Sequence, residues 1–227
     1  MKGILVGTLA LFSVVALAPS VSYGQELADF DYENLSFRGF SLESGYIWPS
    51  RVEPAYTLGM RVDLGYLGPG LRIVPGVAYW SSSLKTAEVA ELEGRLDQLI
   101  LSQVDPLSGW TGTDLGVIDW SDLVLSLDGH FVWAIPFDLL SYAGAGVSAH
   151  IMNGDGAAIS GTFVEDLLDT VTAGVNVHGG LEYPWTDWLR LYGSARYEFL
   201  EDLRYGELRM GAQIMVGSSM PEEGRSR

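Results

Sequence analysis

The sequence predicts an all-β fold: an eight-stranded antiparallel up-and-down transmembrane β-barrel, with a short helix in a long external loop. Three observations lead to this prediction. Apolar and polar residues alternate along eight segments, the two long connections fall at one end, and the mature chain holds a single lysine, Lys85. Residues 55–66, AYTLGMRVDLGY, alternate most strictly. Because successive side chains of a strand point to opposite faces, this segment has one apolar face and one face of small and charged residues.

The first 24 residues have the features of a secretory signal peptide. An early lysine, Lys2, precedes an apolar run at residues 4–18, and the small residue Gly24 marks the expected cleavage site. The apolar run is too short to remain as a membrane span. Residues 25–35 are an N-terminal segment, and no later apolar run has the length of a transmembrane helix. If the exported chain enters a membrane, it is therefore expected to cross with strands.

The composition argues against several classes of protein. There is no cysteine, so disulfide bonds are excluded. Acidic residues outnumber basic ones by 29 to 13, which gives a net charge of −16, whereas nucleic-acid binding needs an excess of positive charge. A soluble surface normally carries many lysines and glutamates. Here the polar faces hold mainly Gly, Ser and Thr, with Arg, Asp and Glu interspersed.

The predicted barrel covers residues 36–217, and a polar tail follows at residues 218–227. The fourth segment alternates cleanly, with Leu123, Leu125 and Leu127 on one face. The fifth is weaker, because its apolar face is mostly alanine. The eight predicted strands are residues 36–48, 55–66, 71–83, 120–135, 138–151, 170–183, 188–200 and 204–217.

The connections predict which end of the barrel faces outward. LGPG at residues 67–70, IPFD at 135–138 and PWTD at 184–187 have the composition of tight turns. The long connections, residues 84–119 and 152–169, fall at the opposite end of an up-and-down meander. Short periplasmic turns and longer external loops are typical of outer-membrane barrels.

The first long loop is expected to contain a helix that covers or flanks the barrel mouth; a flexible loop with helical propensity is the alternative. Its residues 86–104 have helical spacing, with Thr86 as a possible N-cap. The second loop has a similar but weaker pattern at residues 163–169. The expected apolar side of the first helix consists of Val89, Leu92, Leu96 and Leu99.

Alternation alone does not say which face lies inside, because a soluble lipocalin-type barrel also alternates, with its apolar face inward. The scarcity of lysine and the turn asymmetry favour an apolar face turned toward lipid. Aromatic residues gather toward the ends of the apolar faces, which is typical of the interfacial girdles of a membrane barrel. The predicted girdle consists of Tyr46, Trp48, Tyr56, Tyr66, Tyr79, Trp133, Tyr183 and Phe199.

With the apolar face on lipid, charged residues of the opposite parity point into the lumen. An eight-stranded barrel is just wide enough for side chains to fill it, and buried charges must be paired. We therefore expect a lumen plugged by an ion-pair network rather than an open pore. The predicted network consists of Glu43, Arg61, Asp63, Arg72, Asp122, Asp128, Glu182, Arg190, Arg196, Glu198, Glu207 and Arg209.

The chain resembles the small eight-stranded outer-membrane barrel families: the outer membrane protein A-like transmembrane domain, outer membrane protein X and the outer membrane protein W-like group. The resemblance rests on the signal peptide, the eight strands and phrases such as SYAGAGVSAH and RLYGSARYEF. It implies a location in the bacterial outer membrane. Two features depart from the pattern: no peptidoglycan-binding domain follows the barrel, and the last strand closes on IMVG rather than on a terminal aromatic.

The sequence predicts no catalytic residue, metal site or cofactor. Of the three histidines, His130 and His178 are expected at similar depth and His150 nearer the loops, so a shared metal is not expected. The stretch from His150 to Gly154 faintly resembles the His-x-Ser-Asn motif of lipid A deacylases. Met152 stands where that motif has serine and offers no nucleophilic hydroxyl.

These observations favour a non-enzymatic envelope scaffold, monomeric, that displays acidic loops outward. The expected partners are outer-membrane lipids and lipopolysaccharide. Divalent cations that bridge loop carboxylates to lipopolysaccharide phosphates are one hypothesis for the acidic loops, and a solvated acidic surface is the favoured interpretation. Transport of small hydrophobic solutes, as the resemblance to the outer membrane protein W-like group implies, is the second functional hypothesis. An apolar pocket near the external mouth would support transport, and a continuous Arg and carboxylate network would support the scaffold.

Overall fold

The computed structural model describes residues 35–68, 70–103 and 111–216. The predicted signal peptide, residues 25–34 of the N-terminal segment and the polar tail lie outside these ranges.

The described strands close into one antiparallel barrel, which confirms the predicted fold class. Strand β1 pairs with β2 on one side and with β9 on the other, and a pairing of β2 with β4 completes the ring. β2 and β3 are two segments of the second barrel strand, so nine segments make eight barrel strands. The segments are β1 Gly39–Pro49, β2 Ala55–Asp63, β3 Tyr66–Gly68, β4 Leu71–Ser83, β5 Asp119–Ile135, β6 Leu139–Asp155, β7 Thr170–Pro184, β8 Leu189–Leu200 and β9 Arg204–Met215.

The two ends of the barrel differ, and we call them the turn end and the loop end. At the turn end, β3, β5 and β7 each pass to the next strand through a tight turn. The β5–β6 turn holds two non-glycine residues at positive φ, Phe137 at 72° and Asp138 at 56°. At the loop end, both long loops lie beside the shorter connections 50–54 and 201–203.

The second barrel strand is interrupted, and this corrects the prediction for Tyr66. Regular pairing of β2 stops at Asp63, and Gly65 has a φ of +75°, in the left-handed region that glycine tolerates best. The register shifts where β3 meets β4. Because the interruption changes the parity, Tyr66 is buried at 6% exposure under the Arg38 guanidinium and is not part of the lipid-facing girdle.

Two helices lie in the long loops: α1 Thr86–Gln103 and α2 Phe163–Leu168. Thr86 was expected as the N-cap of α1, but the Lys85 carbonyl accepts from the Glu88 and Val89 amides, so Lys85 takes the cap position. Thr162 caps α2 by accepting from the Val164 amide at 3.3 Å. Neither helix in the described part of the chain combines the length and apolar character needed to cross a bilayer.

An apolar cluster closes the loop end of the barrel beneath α1, and we call it the mouth cluster. Val89 and Leu96 of α1 are buried in it, and Leu92 packs against it. Leu99 was expected on the same side but is 49% exposed, so the helix leaves the mouth about one turn earlier than the pattern predicts. The cluster consists of Ile47, Val52, Ala55, Ala78, Trp80, Leu84, Val89, Leu96, Leu115, Ile118, Trp120, Val124, Met152, Ile159, Val164, Leu200, Leu203 and Tyr205.

Candidate functional site

The charged residues predicted to face the lumen are buried within the barrel. All twelve, seven acids and five arginines, are at most 8% exposed. They form three layers, which follow one another from the turn end to the loop end. Each layer contains at least one arginine that contacts a carboxylate on another strand, an arrangement suited to the planar guanidinium fork.

The layer nearest the turn end is centred on Glu182. Its carboxylate lies between Arg72 of β4, which donates to it through two nitrogens, and Arg190 of β8, at 2.8 Å. Arg72 also faces Asp63 at 3.6 Å, and Gln213 donates to that carboxylate at 2.9 Å. Five barrel strands are thereby joined across the lumen.

The middle layer is centred on Glu43 of β1. Arg61 and Arg209 contact its carboxylate at 2.9 Å and 2.7 Å, and the Tyr192 hydroxyl donates to it at 2.8 Å. The Arg61 guanidinium also lies over the Tyr192 ring, 4.2 Å from its centroid. Arg209 reaches a second carboxylate, Glu207, at 2.6 Å. These contacts neutralise two buried acids with two arginines.

The layer nearest the loop end contains both ion pairs and a histidine. Arg196 of β8 contacts Asp128 and Glu198, each at 2.7 Å. Ser148 donates to Glu198. His150 contacts Asp122 through Nδ1 at 2.7 Å and Ser148 through Nε2 at 3.0 Å.

The chain of Asp122, His150 and Ser148 has the connectivity of a hydrolase triad. Met152 stands where the deacylase motif has its serine, but the hydroxyl beside His150 belongs to Ser148, which lies two residues before His150 on the same face of β6. That hydroxyl donates to Glu198, His150 is fully buried, and Met152 lies in the mouth cluster above them. The geometry therefore stabilises the lumen and offers a substrate no direct approach to Ser148.

His130 and His178 lie together toward the turn end, and His150 is remote from them. The rings of His130 and His178 are 4.7 Å apart, and His130 stacks on Tyr142 at 4.5 Å. His130 contacts Arg72, and His178 contacts the Asn176 side chain. Among the described residues, no group of three or more His, Cys, Asp or Glu side chains is arranged to hold a metal ion.

The sequence pattern did not single out several polar partners in the lumen. These residues lie at the same alternate strand positions as the predicted network, so alternation correctly predicts that their side chains point into the lumen. What alternation does not give is their hydrogen-bond partners, which depend on strand register. The missed partners are Tyr142, Ser148, Asn176, Tyr192 and Gln213.

The outer face of the barrel is apolar. Tyr46, which is half-buried, packs its ring against Trp48 and Tyr56, at 5.0 Å and 5.1 Å. Of the eight predicted girdle residues, Tyr66 is the one that faces inward. Near the loop end the girdle holds Tyr46, Trp48, Tyr56, Tyr79 and Phe199, and near the turn end it holds Trp133 and Tyr183. Between these bands the exposed side chains include Leu58, Leu125, Leu127, Val147, Val175, Val177, Leu191, Leu208 and Met210.

A closed barrel with ion pairs inside and hydrocarbon outside has the polarity of a transmembrane barrel. Solved structures have the same fold. Neisserial surface protein A aligns over 81% of this chain and 100% of its own, with 16% sequence identity and a TM-score of 0.51. The chain has the fold of the small eight-stranded outer-membrane β-barrels.

Two further solved structures align with this barrel at lower scores. The attachment invasion locus protein Ail of Yersinia pestis covers 80% of the barrel chain and 99% of its own, at 12% identity and a TM-score of 0.46. The N-terminal β-barrel domain of Pseudomonas aeruginosa OprF covers 78% and 97%, at 12% identity and a TM-score of 0.46. No protein-family model and no curated protein matches the sequence. The apolar outer band gives this barrel the polarity of the barrels that reside in the bacterial outer membrane.

Proposed function

We propose that this barrel is a non-enzymatic scaffold of the outer membrane, with a lumen closed to diffusion and its acidic loops displayed outward. The three ion-paired layers across the lumen carry this proposal. Arg72 of β4 reaches Glu182 of β7, and Arg196 of β8 reaches Asp128 of β5. Side chains that meet from separate strands in this way occupy the space that a water-filled pore would need.

The mouth cluster supports closure at the loop end. Trp80 and Tyr205 are 2% exposed, and their rings meet at 6.3 Å above the loop-end layer. The ring centroids of His150 and Tyr205 are 6.4 Å apart, so the mouth cluster packs directly on the layer nearest the loop end. A solute entering from outside would have to displace the mouth cluster and then the ionic layer beneath it.

Ion conductance tests the closed lumen. The purified barrel in a planar lipid bilayer is expected to give no stable conductance steps, because every polar layer is bridged by side chains. A sixteen-stranded porin inserted in the same bilayer is the positive control, since barrels of that size enclose an aqueous channel. Regular steps from the wild-type barrel would contradict a closed lumen.

Transport of small hydrophobic solutes is the second candidate function, and one observation favours it. A cavity of about 380 Å³ lies at the loop end between α1 and the start of β7. The mouth cluster and the three ionic layers lie between this cavity and the turn end, and they argue against passage of a solute along the barrel axis. Uptake of a hydrophobic dye into vesicles, faster with the barrel than without it, would favour transport over the scaffold.

The acidic loops use many of their carboxylates internally. Asp97 accepts from the amide and hydroxyl of Thr113, and Glu93 accepts from the Leu115 amide, which ties α1 to the descending part of its loop. Asp169 accepts from the Gly154 amide in the second loop. Contact with lipopolysaccharide through divalent cations remains part of the proposal for carboxylates at the surface. A higher melting temperature in lipopolysaccharide vesicles than in phospholipid vesicles, abolished by a chelator, tests it.

An esterase assay tests the non-enzymatic part of the proposal. The purified barrel is expected not to hydrolyse medium-chain acyl esters, because Ser148 is buried and donates to Glu198. Ser148→Ala serves as the control for any background rate. Hydrolysis by the wild type that Ser148→Ala abolishes would identify a working triad and overturn this part.

A further inference from the structure

The barrel wall has a notch at the loop end, where β7 rises above β8. The pairing of these strands ends at Gly174 and Leu200, whereas β7 begins four residues earlier at Thr170. Beyond Leu200 the chain turns into β9 through a short connection that includes Glu201 and Asp202. The cavity of about 380 Å³ opens over this notch, with α1 on its far side.

The floor of the cavity is apolar and fixed in place. Trp120, Met152 and Leu200 line it, and each is at most 7% exposed because each belongs to the mouth cluster. The Trp120 indole donates to the Leu168 carbonyl at 3.2 Å, which holds the ring against the second loop. Ligand sites are typically concave, largely preformed and lined mainly by apolar groups, with volumes of about 300–1,000 Å³.

The rim of the cavity has an excess of negative charge. Six ionisable side chains line it, four acids and two arginines. Arg51 is paired with Glu88 at 2.7 Å, and Arg95 is paired with Glu91. Two carboxylates remain, Glu201 and Asp202, and neither enters an ion pair among the described residues. Since two acids are neutralised by the two arginines, the rim has a net charge of about −2, which attracts a cation and repels an anion.

The outer side of the notch borders the lipid-facing surface. Val171 and Leu167 line the cavity and are 72% and 65% exposed. Val171 is paired across the strands with Ile151, which in turn pairs with Leu123. Both of these side chains also point outward, beside Tyr79 of the girdle. A molecule with an apolar tail can therefore reach the floor from the membrane interface while its head stays at the rim.

We infer that this notch binds a single-chain amphiphile with a cationic head, such as an alkylammonium ion, its tail on the Trp120–Met152–Leu200 floor and its head beside Glu201 and Asp202. The inference goes beyond the scaffold proposal and does not depend on the lumen being closed. The volume suits one short chain rather than a two-chain lipid.

Calorimetric titration of the barrel in nanodiscs tests this inference, with empty nanodiscs as the reference for partitioning. The probes are octyltrimethylammonium, octanoate and octanol, which share a tail length and differ in head charge. The wild type is expected to bind the ammonium probe saturably and at least tenfold more tightly than octanoate. Equal or tighter binding of octanoate, or no saturable binding beyond empty nanodiscs, would overturn the inference.

Substitutions separate the tail site from the head site. Leu92→Trp fills the cavity from α1 and is expected to weaken binding of the ammonium probe at least tenfold. Leu101→Trp adds the same side chain to the same helix at an exposed position outside the cavity lining, and is expected to leave binding unchanged. Glu201→Gln with Asp202→Asn is expected to bring the ammonium probe to the affinity of octanol without changing octanol binding. Similar losses in both tryptophan variants, or no effect of the amide pair, would refute the site; the gel-mobility shift on boiling verifies that each variant is folded.

Discussion

Replacing Glu182 with alanine is expected to lower the free energy of unfolding by about 3–5 kcal/mol, the usual cost of removing one partner from a buried ion pair. The Glu182 carboxylate lies between the guanidinium groups of Arg72 and Arg190, and it is 2% exposed. Its removal leaves two positive charges side by side in a space with little water. Urea titration of the barrel folded into lipid vesicles measures the effect.

Asp187→Ala is the matched control for this prediction. Asp187 is an exposed acid in the β7–β8 turn, five residues from Glu182. Surface substitutions of this kind usually change stability by less than about 0.5 kcal/mol. If the two alanine variants unfold at the same urea concentration, the lumen network does not stabilise the barrel.

Replacing Leu127 with arginine is expected to lower the free energy of unfolding by about 2–4 kcal/mol, the range for a cation that faces lipid near the bilayer midplane. Leu127 lies on the outer face of β5, between the row of Tyr79 and Leu123 near the loop end and Trp133 near the turn end. The same urea titration in vesicles measures this loss of stability.

Leu101→Arg provides the comparison for the lipid face. Leu101 is on α1 and is 52% exposed, against 50% for Leu127. Outside the bilayer, arginine at such a position is hydrated, and the expected change in stability is below about 0.5 kcal/mol. A soluble barrel with water on its outside would tolerate both substitutions equally, and that result would refute a lipid-facing exterior.

The sequence was sufficient to predict the fold and the direction of most lumen side chains, because both follow from a period of two. Each strand of the barrel faces lipid on one side and a narrow, polar, side-chain-filled lumen on the other. Asp128 and Leu127 therefore differ in character although they are adjacent. Tyr66 was assigned to the wrong face because Gly65 and the register shift after Asp63 break the period.

The pairing partners inside the lumen could not be predicted from alternation. His150 is directly opposite Val124, and its contact with Asp122 is a diagonal one across β5 and β6. A slip of one residue in register would turn one of these side chains to the lipid. The mouth cluster was missed for a related reason, since it combines residues from most of the strands with the buried side of α1.

Single-cysteine labelling tests the polarity of the barrel most directly, because the chain contains no cysteine of its own. Nitroxide labels at Leu125→Cys, Val177→Cys and Met210→Cys report collisions with oxygen, which concentrates in lipid, and with a water-soluble nickel complex. We expect frequent oxygen collisions and protection from nickel at all three sites, with a label at Leu101→Cys on α1 accessible to nickel. Nickel accessibility at the three strand sites equal to that at the α1 site would mean that water covers the apolar face, and would contradict a lipid-facing exterior.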